Sequence, residues 1–213
     1  MPVTNDREYR RIEVANLETR DAEGGGMIVE GYATTFNDEY ELYSGRDFRL
    51  MESVDPHAFD GCEMGDVIMQ YDHAGRVFAR TKNGTLQLNA DEHGLHMRAD
   101  LSGTDIGRQL YQEIRGGYTD KMSFGFRIAN GGETRRDETV EGVTVEHRRI
   151  TAVSKLFDVS AVSLPANDAT EISVRNLCDG AIARIEQERL AEQARARKVQ
   201  RIKILLEVES NDN

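Results

Sequence analysis

The stretch "TDKMSFGFRI", residues 119–128, places one serine inside a run whose alternation predicts a β-strand. Successive side chains of a strand point to opposite faces. One face is therefore expected to be apolar and buried, and the other to carry the serine; the two sets are Met122, Phe124 and Phe126, and Ser123, Gly125 and Arg127. No G-x-S-x-G elbow surrounds Ser123. It is either a nucleophile presented by a strand or a hydroxyl on the polar face of a sheet.

Gly125 bears on that choice. A glycine inside a strand often marks a close approach by another backbone, so Gly125 could let a substrate reach the hydroxyl two residues away. This interpretation requires Ser123 to be at least partly accessible.

The composition narrows the function classes. With 213 residues and 38% hydrophobic residues the chain is expected to be globular. A net charge of −11 argues against nucleic acid as the main partner, because phosphate binding needs a basic face. The longest apolar runs are too short to span a membrane, and the first residues lack the apolar core of a signal peptide. We therefore expect a cytoplasmic protein with no cofactor, whose two cysteines, Cys62 and Cys178, stay reduced.

The chain up to about residue 178 has the pattern of a β-rich domain. Hairpins are predicted over residues 10–37 and 84–101, strands over 66–71 and 151–165, and an exposed loop or hairpin over 130–150. A helix is predicted from Thr104 to about Arg115, with Ser102 or Thr104 as its N-cap. The predicted fold class is α+β: a mainly antiparallel, closed or nearly closed β-barrel with peripheral helices, because closure removes unpaired strand edges. A parallel doubly wound sheet is disfavoured, since strands and helices do not alternate.

Residues 179–213 are interpreted as a helical C-terminal extension of a β-rich domain at 1–178. From Ala181 to Val208 there is neither glycine nor proline, and most residues are good helix formers. Residues 181–203 carry seven basic and three acidic side chains, against a net −12 for residues 1–180. The helix is either packed on the domain or a docking element for a partner.

A serine needs a base to become a nucleophile, so the histidines are the next candidates. His73 fits best, because it ends the apolar strand "DVIMQY" with its ring edge accessible. His93 and His96 form an H-x-x-H pattern across a turn without a clear third ligand, and we predict no metal site. His57 lies in a proline-initiated turn, and His147 precedes the last strand.

Read together, four motifs resemble the prohead maturation proteases of tailed bacteriophages, a family similar in fold to the herpesvirus assemblins. The motifs are "DPHAFDG", "DVIMQYDHAGRVFARTKNGTLQLNADEHGL", "GYTDKMSFGFRI" and "LFDVSAVSLPANDATEISV", within residues 28–175. The resemblance implies Ser123 as nucleophile and His73 as general base. It also implies Asp158 as the group that orients the imidazole, with His147 as the rival, because assemblins use a second histidine there. Two positions depart from the family pattern, Ala74 after the histidine and His57 in the "P-G-A-F" element.

The resemblance further implies a serine endopeptidase that cleaves capsid and scaffold proteins, and commonly itself, inside the immature prohead in the host cytoplasm. The resemblance makes residues 1–178 the protease domain, with the major capsid protein and scaffold segments as partners and the C-terminal helix as a dock. A homo-oligomer is a further candidate assembly. If the helix is a dock, removing residues 181–213 should impair encapsidation more than peptidase activity. A non-enzymatic capsid assembly protein and a serine esterase are the alternatives. The triad interpretation requires Ser123 Oγ near one ring nitrogen of His73 and Asp158 near the other.

Overall fold

A computed structural model describes residues 7–12, 17–22 and 25–163, together with positions 191, 195, 197 and 198. Strands account for 57% of the described residues. These strands form three separate sheets, and they are joined by one α-helix and one short 3-10 helix over Thr81–Asn83 in this part of the chain.

The first sheet has five strands and contains the serine-bearing strand near its centre. In spatial order its members are β1 (Glu8–Ile12), β10 (Lys121–Ile128), β13 (Val153–Val162), β6 (Ile68–Tyr71) and β7 (Ala74–Arg80). β10 is antiparallel to both of its neighbours, whereas β13 and β6 run parallel. This order brings three sequence-distant strands side by side.

The other two sheets have four strands each. The second sheet comprises, in spatial order, β11 (Glu133–Val140), β12 (Val143–Ile150), β5 (Phe48–Val54) and β4 (Tyr40–Ser44). The third comprises β2 (Glu18–Ala22), β3 (Gly26–Thr35), β9 (Gly94–Asp100) and β8 (Leu86–Ala90). The predicted hairpins over residues 10–37 and 84–101 are confirmed as β2–β3 and β8–β9. A hairpin over 130–150 is confirmed as β11–β12, but only β11 is exposed, because β12 lies between β11 and β5 and is half buried.

The helix α1 (Asp105–Arg115) confirms the predicted helix and its cap. Thr104 Oγ1 accepts a hydrogen bond from the backbone N–H of Gly107 at 3.1 Å, which satisfies one of the open donors of the first turn. The buried side of α1 carries Leu110, Tyr111 and Ile114, at the i, i+1 and i+4 spacing of one helix face.

The main core joins the first and third sheets with α1. The apolar face predicted for β10 lies in it: Met122, Phe124 and Phe126 have no exposed surface. The rings of Phe124 and Phe126 stack at a centroid distance of 4.6 Å. Burying aromatic side chains of this size contributes about 2–3 kcal/mol each, so β10 is held firmly from its apolar side.

The predicted closed barrel is wrong, and so is the α+β class: the described residues form three open sheets with little helix. The barrel was inferred from the need to protect strand edges, but the edges here are protected by charge. Edge strands β1, β2 and β11 read EYRRI, ETRDA and ETRRDETV. Charged side chains discourage pairing with another chain, so the sheets do not need to close.

The predicted C-terminal helix and the boundary near residue 178 fall almost entirely outside the described residues. Four positions of that segment are described, and all four are helical. In the part of the chain that the structure describes, no helix combines the length and apolarity needed to cross a membrane.

Candidate active site

The candidate site is built around Ser123, in the centre of the first sheet. On one side Ser123 pairs with Arg11 of β1, and on the other with Ser160 of β13. Its side chain has no exposed surface, so the expectation of partial accessibility was wrong. The reason is β1, which lies along β10 and places the carbonyl oxygen of Arg10 2.7 Å from Ser123 Oγ.

His73 is held by a tight turn. Tyr71 and Ala74 pair as neighbours in the β6–β7 hairpin, which leaves Asp72 and His73 as its two turn residues, with φ values of 46° and 55°. Positive φ at both central positions is the pattern of a type I′ turn, whose twist matches that of the flanking strands. Asp and His tolerate this region better than most residues. The turn fixes the imidazole in place, and its side chain is only 5% exposed.

Asp158 lies on β13, opposite Gly125 of β10. Its Oδ1 is 2.5 Å from His73 Nδ1 and accepts a hydrogen bond from Ser160 Oγ at 2.9 Å. Its Oδ2 pairs with the guanidinium of Arg7. Burial by itself would raise the pKa of Asp158, but the hydrogen bond from His73 and the charges of His73 and Arg7 outweigh it, and the pKa is lowered. The carboxylate therefore stays ionised at neutral pH.

The three side chains form a continuous series of contacts. His73 Nδ1 faces Asp158, and His73 Nε2 is within hydrogen-bonding range of Ser123 Oγ. Asp158 favours the neutral tautomer that carries its proton on Nδ1, which leaves the Nε2 lone pair directed at the hydroxyl. A base in contact with a hydroxyl, and itself oriented by a carboxylate, is the arrangement that activates a serine.

The hydroxyl also meets a competing acceptor. A serine has one hydrogen to donate, and both the Arg10 carbonyl oxygen and His73 Nε2 lie close enough to accept it. When the hydrogen is donated to Arg10, none is left for His73. β1 therefore both covers the serine and competes for its proton.

A comparison with known protein families identifies the family of this chain. A model of the caudovirus prohead serine proteases matches residues 15–181. The chain belongs to this family. Comparison with curated proteins found no match. Among solved structures, the bacteriophage T4 capsid assembly protease is similar, with 14% sequence identity, a TM-score of 0.42, and coverage of 76% of this chain and 100% of that one.

Family membership makes the chain a protease of prohead maturation in a tailed bacteriophage, as the motifs around Ser123 and His73 predicted. The matched residues include the strands that carry Ser123, His73 and Asp158. They begin after β1, whose residues complete the surroundings of the site.

Arg7 and the residues of β1 were not identified from the sequence as neighbours of the site. The Tyr9 ring lies 4.4 Å from the His73 ring, and the Arg7 guanidinium lies 5.0 Å from the Tyr9 ring and 4.5 Å from the Phe157 ring. The segment "REYRRI" is short and charged, so it gives little strand signal. The one available sign of a strand was that Arg7 and Tyr9 alternate with Glu8 and Arg10, as side chains on the two faces of a strand do.

Gly125 is needed for a different reason from the one predicted. A Cβ at this position would collide with Asp158 Oδ2 and would lie 2.9 Å from Tyr9 Cε1 and 3.1 Å from Arg7 Nη2. The missing side chain makes room for the carboxylate of Asp158 and for β1.

The remaining histidines lie elsewhere. His147, the rival for the third position, is hydrogen-bonded to Glu39 at 2.6 Å and to Glu138 at 3.2 Å on the second sheet. His57 contacts Asp60 at 3.0 Å in an exposed turn. His93 and His96 flank Tyr32, with ring centroids 6.2 and 5.2 Å from its ring. No group of three or more His, Cys, Asp or Glu side chains within the described ranges is arranged to hold a metal.

Proposed function

We propose that the chain is a serine endopeptidase that cleaves capsid and scaffold proteins, and itself, inside the prohead, with Ser123 as nucleophile. The observation that carries the proposal is the series of contacts Asp158–His73–Ser123. Ser123 and Asp158 lie on neighbouring strands and His73 lies in the turn between β6 and β7, and their contacts support the proposed roles of nucleophile, orienting carboxylate and base. Family membership supplies the class of substrate.

The first half of the reaction acylates the enzyme. His73 Nε2 takes the proton of Ser123 while Oγ attacks the scissile carbonyl carbon, and the carbonyl oxygen becomes an oxyanion. Asp158 keeps the imidazole in the required tautomer and stabilises the imidazolium. The tetrahedral intermediate then collapses: the C–N bond breaks, and His73 gives its proton to the departing amine.

The second half removes the acyl group. A water molecule enters where the amine left, His73 takes one of its protons, and the resulting hydroxide attacks the ester carbon. The C–Oγ bond breaks, the new carboxylic acid is released, and the proton on His73 returns to Ser123. Each step uses Nε2 as the proton carrier and Nδ1 as the anchor to Asp158.

The decisive experiment is mass spectrometry of the capsid protein co-expressed with wild-type chain or with Ser123→Ala. We expect processed capsid protein with wild type and unprocessed protein with Ser123→Ala. Ser44→Ala, the same change at an exposed serine at the end of β4, should process like wild type. Intact processing by Ser123→Ala would instead favour a non-enzymatic assembly role.

A further inference from the structure

The strand β1 covers the serine-bearing side of β10 and brings one of its own carbonyl oxygens next to the Ser123 hydroxyl. It adds to the edge of β10 as an antiparallel strand, with Arg10 opposite Phe124 and Arg11 opposite Ser123. The Arg10 carbonyl oxygen lies 2.7 Å from the Ser123 hydroxyl. Addition of an extended segment to a sheet edge is a common mode of peptide recognition, because the backbone hydrogen bonds give affinity and alternate side chains give specificity.

The side chains of β1 that face away from His73 enter a buried charged pocket. Arg10 and Glu8 contact two charged residues of the second sheet, Glu52 of β5 and Arg148 of β12. We call Glu8, Arg10, Glu52 and Arg148 the charge cluster. The side chains of Arg10, Glu52 and Arg148 have no exposed surface, and that of Glu8 is 9% exposed.

Both β1 side chains of the charge cluster meet opposite charges on the second sheet. The Arg10 guanidinium binds both carboxylate oxygens of Glu52, at 2.9 Å for its Nη2. Arg148 donates to both oxygens of Glu8, at 3.1 and 3.2 Å. Paired contacts of this kind select a planar guanidinium and a carboxylate by geometry as well as by charge.

The half of the pocket supplied by the second sheet is built independently of β1. Glu52 accepts hydrogen bonds from Arg148 Nη1 at 3.0 Å and from Tyr40 Oη at 2.5 Å. Glu133 accepts from Arg148 Nε at 2.8 Å. The charges of the pocket are thus held in position by their own sheet, and they would meet a substrate that replaces β1.

We propose that the slot filled by β1 is the peptide-binding groove and that Glu52 and Arg148 determine its specificity. Glu52 binds a basic side chain on the residue whose carbonyl reaches Ser123, and Arg148 binds an acidic side chain two residues before it. The preferred segment is therefore acidic-x-basic, with cleavage after the basic residue. The inference rests on the proposed protease function and deepens it.

The test uses the full chain and quenched fluorescent peptides containing Glu-Tyr-Arg-Arg-Ile, the sequence of β1. Replacing the first arginine by methionine, or the glutamate by glutamine, should each lower kcat/KM by about tenfold to a hundredfold, because a charged partner is left without its hydrogen bonds. Mass spectrometry should place the cut between the two arginines. Equal turnover of all three peptides, or cutting at another bond, would overturn the proposal and leave the protease function standing.

Glu52→Gln supplies the enzyme side of the test. In Glu52→Gln, kcat/KM for the arginine peptide divided by kcat/KM for the methionine peptide should fall towards one. Glu41→Gln, at an exposed position of β4, should keep the wild-type ratio. An unchanged ratio in folded Glu52→Gln would contradict the role of Glu52. If Glu52→Gln does not fold, the wild-type peptide series alone decides. A wild-type chain that processes the capsid protein but cuts none of the peptides overturns the specificity alone, whereas one that does neither overturns the proposed activity as well.

Discussion

β1 separates two polar clusters that use buried charge in different ways. The serine cluster, which comprises Ser123, His73 and Asp158, is a series in which the two ring nitrogens of His73 connect the hydroxyl to the carboxylate. In the charge cluster each carboxylate is shared between arginines, and each arginine between carboxylates. In the serine cluster a proton can pass from one side chain to the next. In the charge cluster, opposite charges from two sheets hold each other in place.

The comparison assigns bond cleavage to the serine cluster and, while β1 fills its slot, cohesion of the two sheets to the charge cluster. Removing a member of a proton-carrying series should change the rate of reaction and leave the sheets in place. Removing a member of a closed ionic network should leave a buried charge without its partner, which is costly for the fold. Variants of the two clusters should therefore separate activity from stability.

The largest effect is expected for Asp158→Asn. Asparagine can keep the shape of the contact, but it favours the tautomer of His73 that carries its proton on Nε2, so the imidazole can no longer accept from Ser123. We expect kcat to fall by about 10⁴-fold, with the free energy of unfolding changed by no more than about 2 kcal/mol. Peptide kinetics and urea unfolding measure the two quantities. Asp66→Asn, which alters an exposed ion pair with Arg80, is the control. If Asp158→Asn lost as much free energy of unfolding as it lost in activation free energy, Asp158 would not be the group that orients His73.

The two clusters also differ in how far the sequence predicts them. Ser123 lies in a strand whose alternation is clear, and His73 follows an apolar strand, so local patterns and family motifs identify both. The charge cluster has no such signature: Glu8, Arg10, Glu52 and Arg148 look individually like exposed charges in short strands. Their burial follows from the packing of β1 against β5 and β12, which are far apart in sequence.

The error in the barrel prediction has the same origin. Alternation locates strands, but it does not say which strands pair. The parallel pairs β13–β6 and β12–β5 join segments that are dozens of residues apart, and charges on β1 and β11 protect edges that a barrel would have closed. The sequence did not reveal that Ser123 is covered, because the covering segment, Arg7 together with β1, lies more than 100 residues away in the chain.

The next largest effect is expected for Arg148→Met, which tests the cohesive role of the charge cluster. The change removes, from a buried place, the cation that contacts all three of Glu8, Glu52 and Glu133, and we expect a loss of about 3–5 kcal/mol in the free energy of unfolding. Arg149→Met is the matched control, since Arg149 pairs with Asp55 at 2.8 Å with 38% of its side chain exposed. That pair should contribute less than about 1 kcal/mol. If urea unfolding gave similar losses of stability for Arg148→Met and Arg149→Met, the buried charge cluster would stabilise the fold no more than an exposed ion pair does.

The smallest of the three effects is a dependence of stability on pH through Glu8. Burial alone would raise the pKa of Glu8, but the charges and hydrogen bonds of Arg10 and Arg148 outweigh it and lower the pKa from 4.5 to about 2. The unfolded chain therefore binds a proton at Glu8 at a higher pH than the folded chain does. The stabilisation is fully present above pH 4.5 and is lost as pH falls towards 2, by at most roughly 3 kcal/mol. Other carboxylates titrate in the same window, so the quantity to measure is the difference in free energy of unfolding between wild type and Glu8→Gln at pH 6, 5, 4 and 3. This difference should shrink as pH falls, with Glu41→Gln, the same change at an exposed position of β4, as the matched control. Parallel curves for wild type and Glu8→Gln would mean that the arginines do not hold Glu8 as a carboxylate.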